Sequence, residues 1–284
     1  MKTSGTWPLR VPVVGLLLAV LVGCAPEAGT GADADESAAA EATRIPTAGA
    51  AASDRWLPQP GSSWQWQLSG TLDLTVDAEI FDVDYERTSA EEVEQLHRGG
   101  AHVICYLSAG SWEDYRPDAA RFPDSVRGEV LDGWPDEQWL DIRRLDELLP
   151  IMAARMDTCA EKGFDAVEPD NVDGYANHSG FPLSYDDQLA YNRALAALAH
   201  ERGLSVALKN DLDQIPVLVD DFDFALNEEC ARYDECGRYA PFIRDGKAVL
   251  HVEYEGYPDF CARVPEGFSS LSKPLELDAE RSAC

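Results

Sequence analysis

Short apolar runs alternate with helical patterns from Trp56 to the end of the chain. Residues 64–68 alternate apolar and polar positions, as a half-buried strand does, and seven further short apolar runs have the length and composition of strands. The predicted strands are residues 64–68, 78–83, 102–107, 164–167, 204–208, 222–226, 248–252 and 267–271.

Helical patterns separate most of these runs. The predicted helices are residues 90–98, 145–162, 185–202, 214–219 and 239–244. Within the second of them, Pro150 predicts either a kink or a helix start at that point, because proline suits only the first turn. Repeated strand–helix units imply parallel strands with crossover helices, and eight of them predict an α/β fold, a single (β/α)8 TIM-type barrel. An open doubly wound sheet is the alternative, although no glycine-rich nucleotide fingerprint follows an early strand.

The N-terminus has the pattern of an export signal. Lys2 and Arg10 precede an apolar run over residues 11–22, which is shorter than the roughly 20 residues of a membrane-spanning helix and suits a signal peptide. The run ends in Leu-Val-Gly-Cys24, which resembles a bacterial lipobox. Residues 1–23 are thus a predicted lipoprotein signal peptide and Cys24 a predicted lipidation site; the alternative is a plain signal peptide with an incidental cysteine.

The segment that follows has the composition of a linker. Residues 24–55 are rich in Ala, Gly, Glu, Asp and Thr and nearly devoid of large apolar residues, so we expect a disordered tether. Residues 56–284 form the predicted catalytic domain. We therefore expect an extracytoplasmic, monomeric protein that is held to the cell membrane by a lipid anchor.

The charge balance narrows the range of partners. The chain has 284 residues with 52 Asp+Glu against 23 Lys+Arg, a formal net charge of −29, and 45% hydrophobic residues, enough for a sizeable core. Nucleic acid is disfavoured as a partner because phosphate binding needs a basic surface. An acidic surface favours a cationic partner instead.

Six cysteines remain besides Cys24, and an even number in an exported chain favours disulfides over metal thiolates. Cys230 and Cys236 would close a short local loop, which makes them the first predicted pair. Cys261 with Cys284 would fix the C-terminus. For Cys105 the alternatives are a buried free thiol and a bond to Cys159.

Carboxylates cluster at the ends of the predicted strands, where the active sites of TIM barrels lie. Glycoside hydrolysis needs two carboxyl groups, a proton donor and a nucleophile or base, and aromatic rings offer flat faces to sugars. Acids at such positions can also cap the following helix or bind Ca²⁺ or Mg²⁺ through their oxygen atoms. The acids in question are Asp82, Asp84, Glu168, Asp170, Asp173, Glu228, Glu229 and Glu253.

Several longer motifs occur in one order along the chain. They are WQWQLSG (64–70), CYLSAGSWE (105–113), GFDAVEPDNVDGY (163–175), LKND (208–211), NEEC (227–230) and EYEGYPDFC (253–261). Together they resemble the endo-α-1,4-polygalactosaminidase family, glycoside hydrolase family 114. The resemblance implies a TIM-type barrel and cleavage of α-1,4-linked galactosamine polymers.

The catalytic pair is predicted from position and analogy. Asp170 lies at the end of the fourth predicted strand in an Asp-Asn context, which carries the nucleophile in several α-glycosidase barrels. Glu228 lies at the end of the sixth and would be the acid/base of a retaining mechanism. Glu229 is the rival, since adjacent strand residues point to opposite faces and only one of the two enters the site.

Other residues receive supporting roles. Lys209 would pair with Asp170 and keep it ionised, and Glu168 would orient Lys209 or the nucleophile. Asp82 and Asp84 would recognise the amino group of the sugar. Tyr85, Trp112 and Tyr175 would stack on sugar rings, whereas Trp64 and Trp66 fit the core better. The full predicted substrate-binding set is Asp82, Asp84, Tyr85, Trp112, Glu168, Asn171, Asp173, Tyr175, Lys209, Asn210, Glu229 and Glu253.

The predicted partner is a cationic or partly acetylated amino-sugar polysaccharide. No cofactor and no metal are expected, since the five histidines lack the ligand spacing of a metal motif. Two other functions fit the same rim of acids: a metal-dependent hydrolase such as a phosphodiesterase, and a sugar-binding lipoprotein without activity.

Overall fold

The computed structural model describes residues 55–254, 257 and 259–284. The predicted signal peptide, the lipidation site Cys24 and the predicted tether up to residue 54 lie outside the described residues. Within the described part of the chain, no helix is both long and apolar enough to cross a membrane.

Twelve strands and five α-helices make up the described fold. The strands are β1 (Trp64–Gln67), β2 (Ile80–Asp84), β3 (His102–Ser108), β4 (Ser111–Glu113), β5 (Arg127–Leu131), β6 (Trp134–Leu140), β7 (Ala166–Asp170), β8 (Ser205–Lys209), β9 (Phe224–Glu228), β10 (Val249–Tyr254), β11 (Phe268–Lys273) and β12 (Ser282–Ala283). The helices are α1 (Ala90–Arg98), α2 (Leu145–Lys162), α3 (Tyr185–Glu201), α4 (Ile215–Leu218) and α5 (Ala240–Arg244).

Eight of the strands run parallel in one curled sheet. Their order is β1-β2-β3-β7-β8-β9-β10-β11, and β12 adds an antiparallel strand to the edge. Side chains join the two ends of the parallel set: the Trp64 indole donates to the carbonyl of Ser269 at 2.9 Å, and Lys273 donates to the Gln65 side chain at 3.2 Å. The predicted α/β fold of TIM-barrel type is confirmed, and each of the eight parallel strands overlaps a predicted run.

The helices also follow the sequence patterns. A capping box of Ser89 and Glu92 starts α1, and Gly163 in the left-handed conformation ends α2. Helix α2 begins at Leu145, so Pro150 lies inside it and does not start it. The connections β1–β2 and β10–β11 contain no α-helix among the described residues, so the outer helical layer is less complete than in a full (β/α)8 barrel.

The two faces of each strand build two cores. Residues of one parity fill the barrel interior with apolar side chains such as Trp64, Ile80 and Ala166, while the other parity packs against the helices. Two residues further along β2 and β7, the interior positions become Asp82 and Glu168. The barrel is therefore apolar at its lower end and charged towards the C-terminal ends of its strands.

A small antiparallel sheet of β4, β6 and β5 is inserted between β3 and α2. A buried ion network connects it to the barrel: Arg116 contacts Asp84 at 2.8 Å and Glu113 at 2.7 Å, and Arg155 of α2 contacts Glu113 at 3.4 Å and Asp118 at 2.8 Å. The sequence patterns did not predict this sheet.

Three disulfides cross-link the described chain. Cys230–Cys236 closes the local loop after β9, as predicted, and Cys261–Cys284 fixes the C-terminus. Cys105 of β3 is bonded to Cys159 of α2, which decides between its two predicted states.

Candidate active site

A cleft of about 780 Å³ opens at the C-terminal ends of the parallel strands. Its floor is formed by inward side chains of the barrel, and one wall comes from the inserted sheet, including the loop that connects β4 to β5. Among the lining residues are Trp66, Asp170, Lys209 and Glu228 from the barrel, and Tyr115 and Trp134 from the insertion.

Lys209 is the centre of the charged floor. Its Nζ atom lies 2.8 Å from Glu168 Oε1, 3.0 Å from Asp170 Oδ1 and 3.3 Å from Glu228 Oε2, and 4.7 Å above the centre of the Trp66 ring. Burial disfavours the ammonium form, but the surrounding carboxylates outweigh that cost and raise the pKa of Lys209 well above its ordinary value. The ammonium group thus stays charged and bridges three acids.

The two predicted catalytic carboxyl groups face each other across Lys209. Asp170 accepts further hydrogen bonds from the Tyr106 hydroxyl at 3.0 Å and from the Asn171 backbone N–H at 2.8 Å. The Lys209 contacts of 3.0 Å and 3.3 Å place Asp170 Oδ1 and Glu228 Oε2 within about 6.3 Å of each other.

Glu228 is held by two neighbouring side chains. Asn210 donates to Glu228 Oε2 at 3.2 Å, and the Tyr254 hydroxyl donates to Oε1. Burial, followed by the nearby Glu228 charge, raises the pKa of Tyr254, so its hydroxyl keeps the proton that it donates. Glu228 is the more accessible acid, with 27% of its side chain exposed against 17% for Asp170.

Left-handed backbone follows each of the strands that carry these three residues. Asn171 has φ 61°, Asn210 has φ 48° and Glu229 has φ 61°. Asparagine tolerates this conformation better than most residues, and such backbone is concentrated at functional sites. The chain turns away directly after Asp170, Lys209 and Glu228, so these side chains are the last of their strands and reach over the cleft.

Several other predicted residues line the cleft as well. Asn171 donates to Ser108 at 3.0 Å, and Asp84 is bound by Arg116. Burial, with the Asp170 charge adding to it, raises the pKa of Asp173 to about 6. Those that line the cleft are Asp84, Asn171, Asp173, Lys209 and Asn210.

The predicted stacking aromatics lie elsewhere. Tyr85 is buried in the core, where the guanidinium groups of Arg116 and Arg155 lie over its ring. The Trp112 indole donates to the carbonyl of Ala119 at 3.0 Å and is covered by Arg127. Tyr175 packs edge-on against Tyr185. The predicted stacking on sugar is therefore corrected for Tyr85 and Trp112, whereas for Tyr175, which is not among the residues lining this cleft, it stays a prediction.

Four of the predicted substrate-binding acids are also not among the residues that line the cleft. Glu229 points to Arg232 at 2.6 Å, as expected for the residue after an inward Glu228. Glu253 is fully buried and accepts the Ala231 backbone N–H at 2.8 Å, which holds the loop after β9. Asp82 and Glu168 are fully buried below the cleft floor. Direct substrate contact is therefore corrected for Asp82, Glu168 and Glu253, which are fully buried, whereas for Glu229 it stays a prediction.

Several cleft residues were missed in the sequence, among them Tyr106, Tyr254, Trp134 and Glu137. Tyr106 and Tyr254 share the inward parity of their strands, and that parity was the available signal. Trp134 and Glu137 belong to the inserted sheet, which was not predicted. Burial raises the pKa of Glu137 to about 7. The Ser111 hydroxyl, which donates to Glu137 at 2.6 Å, has the opposite effect and lowers this pKa, but by less.

One cluster in the described chain has the spacing of a metal site, Cys230, Cys236 and His251. The two sulfur atoms are bonded to each other, so they are not thiolate ligands. In the cleft itself, the Lys209 ammonium occupies the position between the carboxylates where a divalent cation would otherwise bind.

Comparison with known proteins identifies the family of the chain. The sequence profile of glycoside-hydrolase family GH114 matches residues 45–284, and the chain belongs to this family of glycoside hydrolases. The match begins upstream of residue 56, the predicted start of the domain.

Two solved structures illustrate the similarity. The Aspergillus fumigatus Ega3 complex with galactosamine is 38% identical, with a TM-score of 0.77, and the alignment covers 81% of this chain and 97% of that one. The glycoside hydrolase domain of PelA from Pseudomonas aeruginosa has the same fold at 16% identity, with a TM-score of 0.62 and coverage of 78% and 98%. Curated proteins gave no match.

Proposed function

We propose that this glycoside hydrolase is an exported, endo-acting, retaining enzyme that cleaves α-1,4-linked galactosamine-containing polysaccharide. Asp170 is the nucleophile and Glu228 the acid/base. The observation that carries the proposal is the buried Lys209 ammonium, which holds both carboxyl groups at the cleft floor.

The contacts with Lys209 are compatible with retention. Retaining glycosidases hold their catalytic carboxyl groups about 5–5.5 Å apart, and inverting ones about 6.5–9.5 Å apart, to leave room for a water molecule. The limit of about 6.3 Å applies to the two oxygens that face Lys209, Asp170 Oδ1 and Glu228 Oε2, so the choice of retention rests on the strand-end Asp-Asn context of Asp170 as well.

The surroundings of each acid fit its role. In the first step an oxygen of Asp170 bonds to the anomeric carbon while the glycosidic C–O bond breaks and Glu228 gives its proton to the leaving oxygen. In the second step Glu228 takes a proton from water, and the resulting hydroxide displaces Asp170. Lys209, Tyr106 and the Asn171 N–H all donate to Asp170, and these three hydrogen bonds fix the orientation of its carboxyl group at the cleft floor. Glu228 is the more exposed acid, which suits proton exchange with leaving group and water.

Charge and aromatic surface support the substrate class. The chain carries a net charge of −29, and the solved relative Ega3 binds galactosamine in its crystal structure. Asp84, Asp132, Glu137 and Asp173 line the cleft with carboxyl groups; Asp84 is already paired with Arg116, and the others attract protonated amino sugars when they are ionised. Trp134, at the tip of the β5–β6 hairpin and 51% exposed, is the platform on which a further sugar ring would stack.

The extracytoplasmic, membrane-anchored location of the enzyme is part of the proposal. Export and lipid attachment rest on the signal pattern of residues 1–23 and on Cys24, together with three disulfides in the described chain, which are typical of exported proteins. Cys24→Ser should move the protein from the membrane fraction to the soluble fraction, and a variant that stays membrane-bound would contradict lipidation.

The function is tested on defined polymers. The mature chain, incubated with partly de-acetylated α-1,4-galactosaminan, should release oligosaccharides that mass spectrometry resolves as a ladder. Fully acetylated polymer and chitosan are the controls for charge and linkage. A metal-dependent hydrolase is the competing function, and loss of activity in a chelator followed by recovery with Mg²⁺ or Ca²⁺ would favour it.

A further inference from the structure

Two buried carboxyl groups lie beneath Lys209, one layer below the catalytic acids. Asp82 of β2 and Glu168 of β7 face the barrel interior from the strands on either side of β3, and both are fully buried. Each carboxyl group is close enough to act on the pKa of the other. A hydrogen bond between them needs a proton, because two ionised carboxylates have only acceptor atoms and repel each other.

The hydrogen bonds around the pair lead to the same conclusion. Neither oxygen of Asp82, nor Glu168 Oε2, meets an N–H or hydroxyl donor anywhere in the described chain. Buried acceptors without donors are costly and rare in native proteins. One proton shared by the two carboxyl groups supplies the missing donor.

The position of Lys209 decides which residue holds that proton. Lys209 Nζ lies 2.8 Å from Glu168 Oε1, so the charge of Glu168 is compensated directly. No ion pair to Asp82 forms among residues 55–254, 257 and 259–284. The neighbours of Asp82 on the flanking strands are Trp66 and Ile104, which are both uncharged.

We propose that Asp82 is a positioning residue that stays protonated and donates to ionised Glu168, so that Glu168 holds Lys209 against Asp170 and Glu228. Burial, followed by the charge of Glu168, raises the pKa of Asp82 well above its ordinary value, and Lys209 only partly opposes this. Glu168 and Asp170 from β7 and Lys209 from β8 are the charged groups that act on Asp82, and Tyr106 of β3 adds a hydroxyl that donates to Asp170.

The proton matters because one ammonium group serves three carboxylates. If Asp82 were ionised, a fourth negative charge below Lys209 would draw the ammonium down, away from Asp170 and Glu228. A neutral Asp82 keeps the cation at the level where the chemistry occurs. This consequence rests on the proposed roles of Asp170 and Glu228, whereas the protonation of Asp82 does not.

Two isosteric variants separate the roles of the pair. Asp82→Asn keeps a donor towards Glu168, so we expect kcat/KM to fall only about two- to fivefold. Glu168→Gln removes the charge that holds Lys209, so we expect a fall of about 10- to 100-fold. The reverse ranking would place the proton on Glu168. Equal losses of kcat/KM in the two variants would mean that Asp82 and Glu168 do not differ in protonation. Either the reverse ranking or equal losses would overturn the proposal.

A spectroscopic readout tests the proton without any substrate. The infrared difference between the unsubstituted protein and Asp82→Asn, recorded at mildly alkaline pH, should contain the carbonyl band of a protonated carboxylic acid. The matched control is Asp220→Asn on the surface, whose difference spectrum should contain carboxylate bands and the amide bands of the new Asn, without the carbonyl band of a protonated acid. The same pattern for Asp82→Asn overturns the proposal. The band together with no activity on galactosamine polymers would instead contradict the proposed function.

Discussion

Two layers of acids occupy the same barrel and differ in almost every physical respect. The upper layer, Asp170 and Glu228, is partly exposed and accepts hydrogen bonds from tyrosine hydroxyls and asparagine groups. The lower layer, Asp82 and Glu168, is fully buried and has almost no donors besides Lys209 and the pair itself. Only two residues along β7 separate Glu168 from Asp170. The depth at which a carboxyl group lies, and not its type, therefore decides whether it meets substrate or positions another residue.

The largest expected effect comes from the upper layer. Glu228→Gln should lower kcat by about 10²–10⁴-fold, the usual contribution of a general acid. Asp170→Asn should lower it at least as much, because the covalent route is lost. Both can be measured as reducing-end release from polygalactosamine, with circular dichroism to show that the fold is kept.

Glu229→Gln is the matched control for Glu228→Gln. Glu229 points to Arg232 on the outer side of the strand end, so the variant should keep most of its activity. Strong loss in Glu229→Gln with near-normal Glu228→Gln would move the acid/base role by one residue.

The next effect joins the two layers. Lys209→Met leaves the buried carboxyl groups without their cation and should destabilise the protein by about 3–5 kcal/mol, besides abolishing most activity. Lys209→Arg keeps the positive charge on a larger, planar group. Its free energy of unfolding and its activity should lie between those of the methionine variant and the unsubstituted protein. Urea unfolding measures the free energy. Unchanged stability in Lys209→Met would contradict the central place given to this ion cluster.

A smaller effect concerns the cleft wall. Trp134→Ala should raise KM for long polymers by roughly two- to tenfold, the value of one aromatic contact, and leave kcat nearly unchanged. Tyr233 is equally exposed, at 60% against 51% for Trp134, but does not line the cleft, so Tyr233→Ala is the control. Steady-state kinetics on oligomers of graded length should show the KM difference growing with length. Equal KM values for both variants would remove Trp134 from the substrate path.

The smallest effect on activity is expected from a pH dependence of stability that lies outside the two layers. Burial, followed by the charge of Asp173, raises the pKa of Asp211 to about 8. Between the ordinary carboxyl pKa and about 8, the folded state therefore holds a proton on Asp211 that the unfolded state has lost. The contribution of Asp211 to stability is complete below the ordinary carboxyl range and declines as the pH rises towards about 8. Urea midpoints measured between acidic and mildly alkaline pH should fall with pH, and Asp211→Asn should flatten that slope. An unchanged slope would contradict the raised pKa.

The sequence was informative wherever a pattern repeats. The alternation of Trp64, Gln65, Trp66 and Gln67 indicates a strand, and turn residues such as Gly163 mark the ends of elements, so the parallel strands and the five helices were predictable. Position at a strand end also found Asp170, Lys209 and Glu228.

The inserted sheet was not predictable by the same reasoning. Strands β5 and β6 are largely exposed and rich in charged residues, so they lack the alternation that identifies a half-buried strand. Trp134 and Glu137 were missed with them. Tyr85 and Trp112 were misplaced for a different reason: arginine side chains cover their rings, and such long-range packing has no signal in local sequence.

The stereochemistry of the first product tests the central claim most directly. If Asp170 forms a covalent glycosyl-enzyme and Glu228 activates water on the same face, proton NMR of the mature chain acting on an α-linked galactosamine oligomer should show the α-anomer first, with the β-anomer growing only by mutarotation. An initial β-anomer would mean a single displacement by water and would contradict both the nucleophilic role of Asp170 and the retaining mechanism.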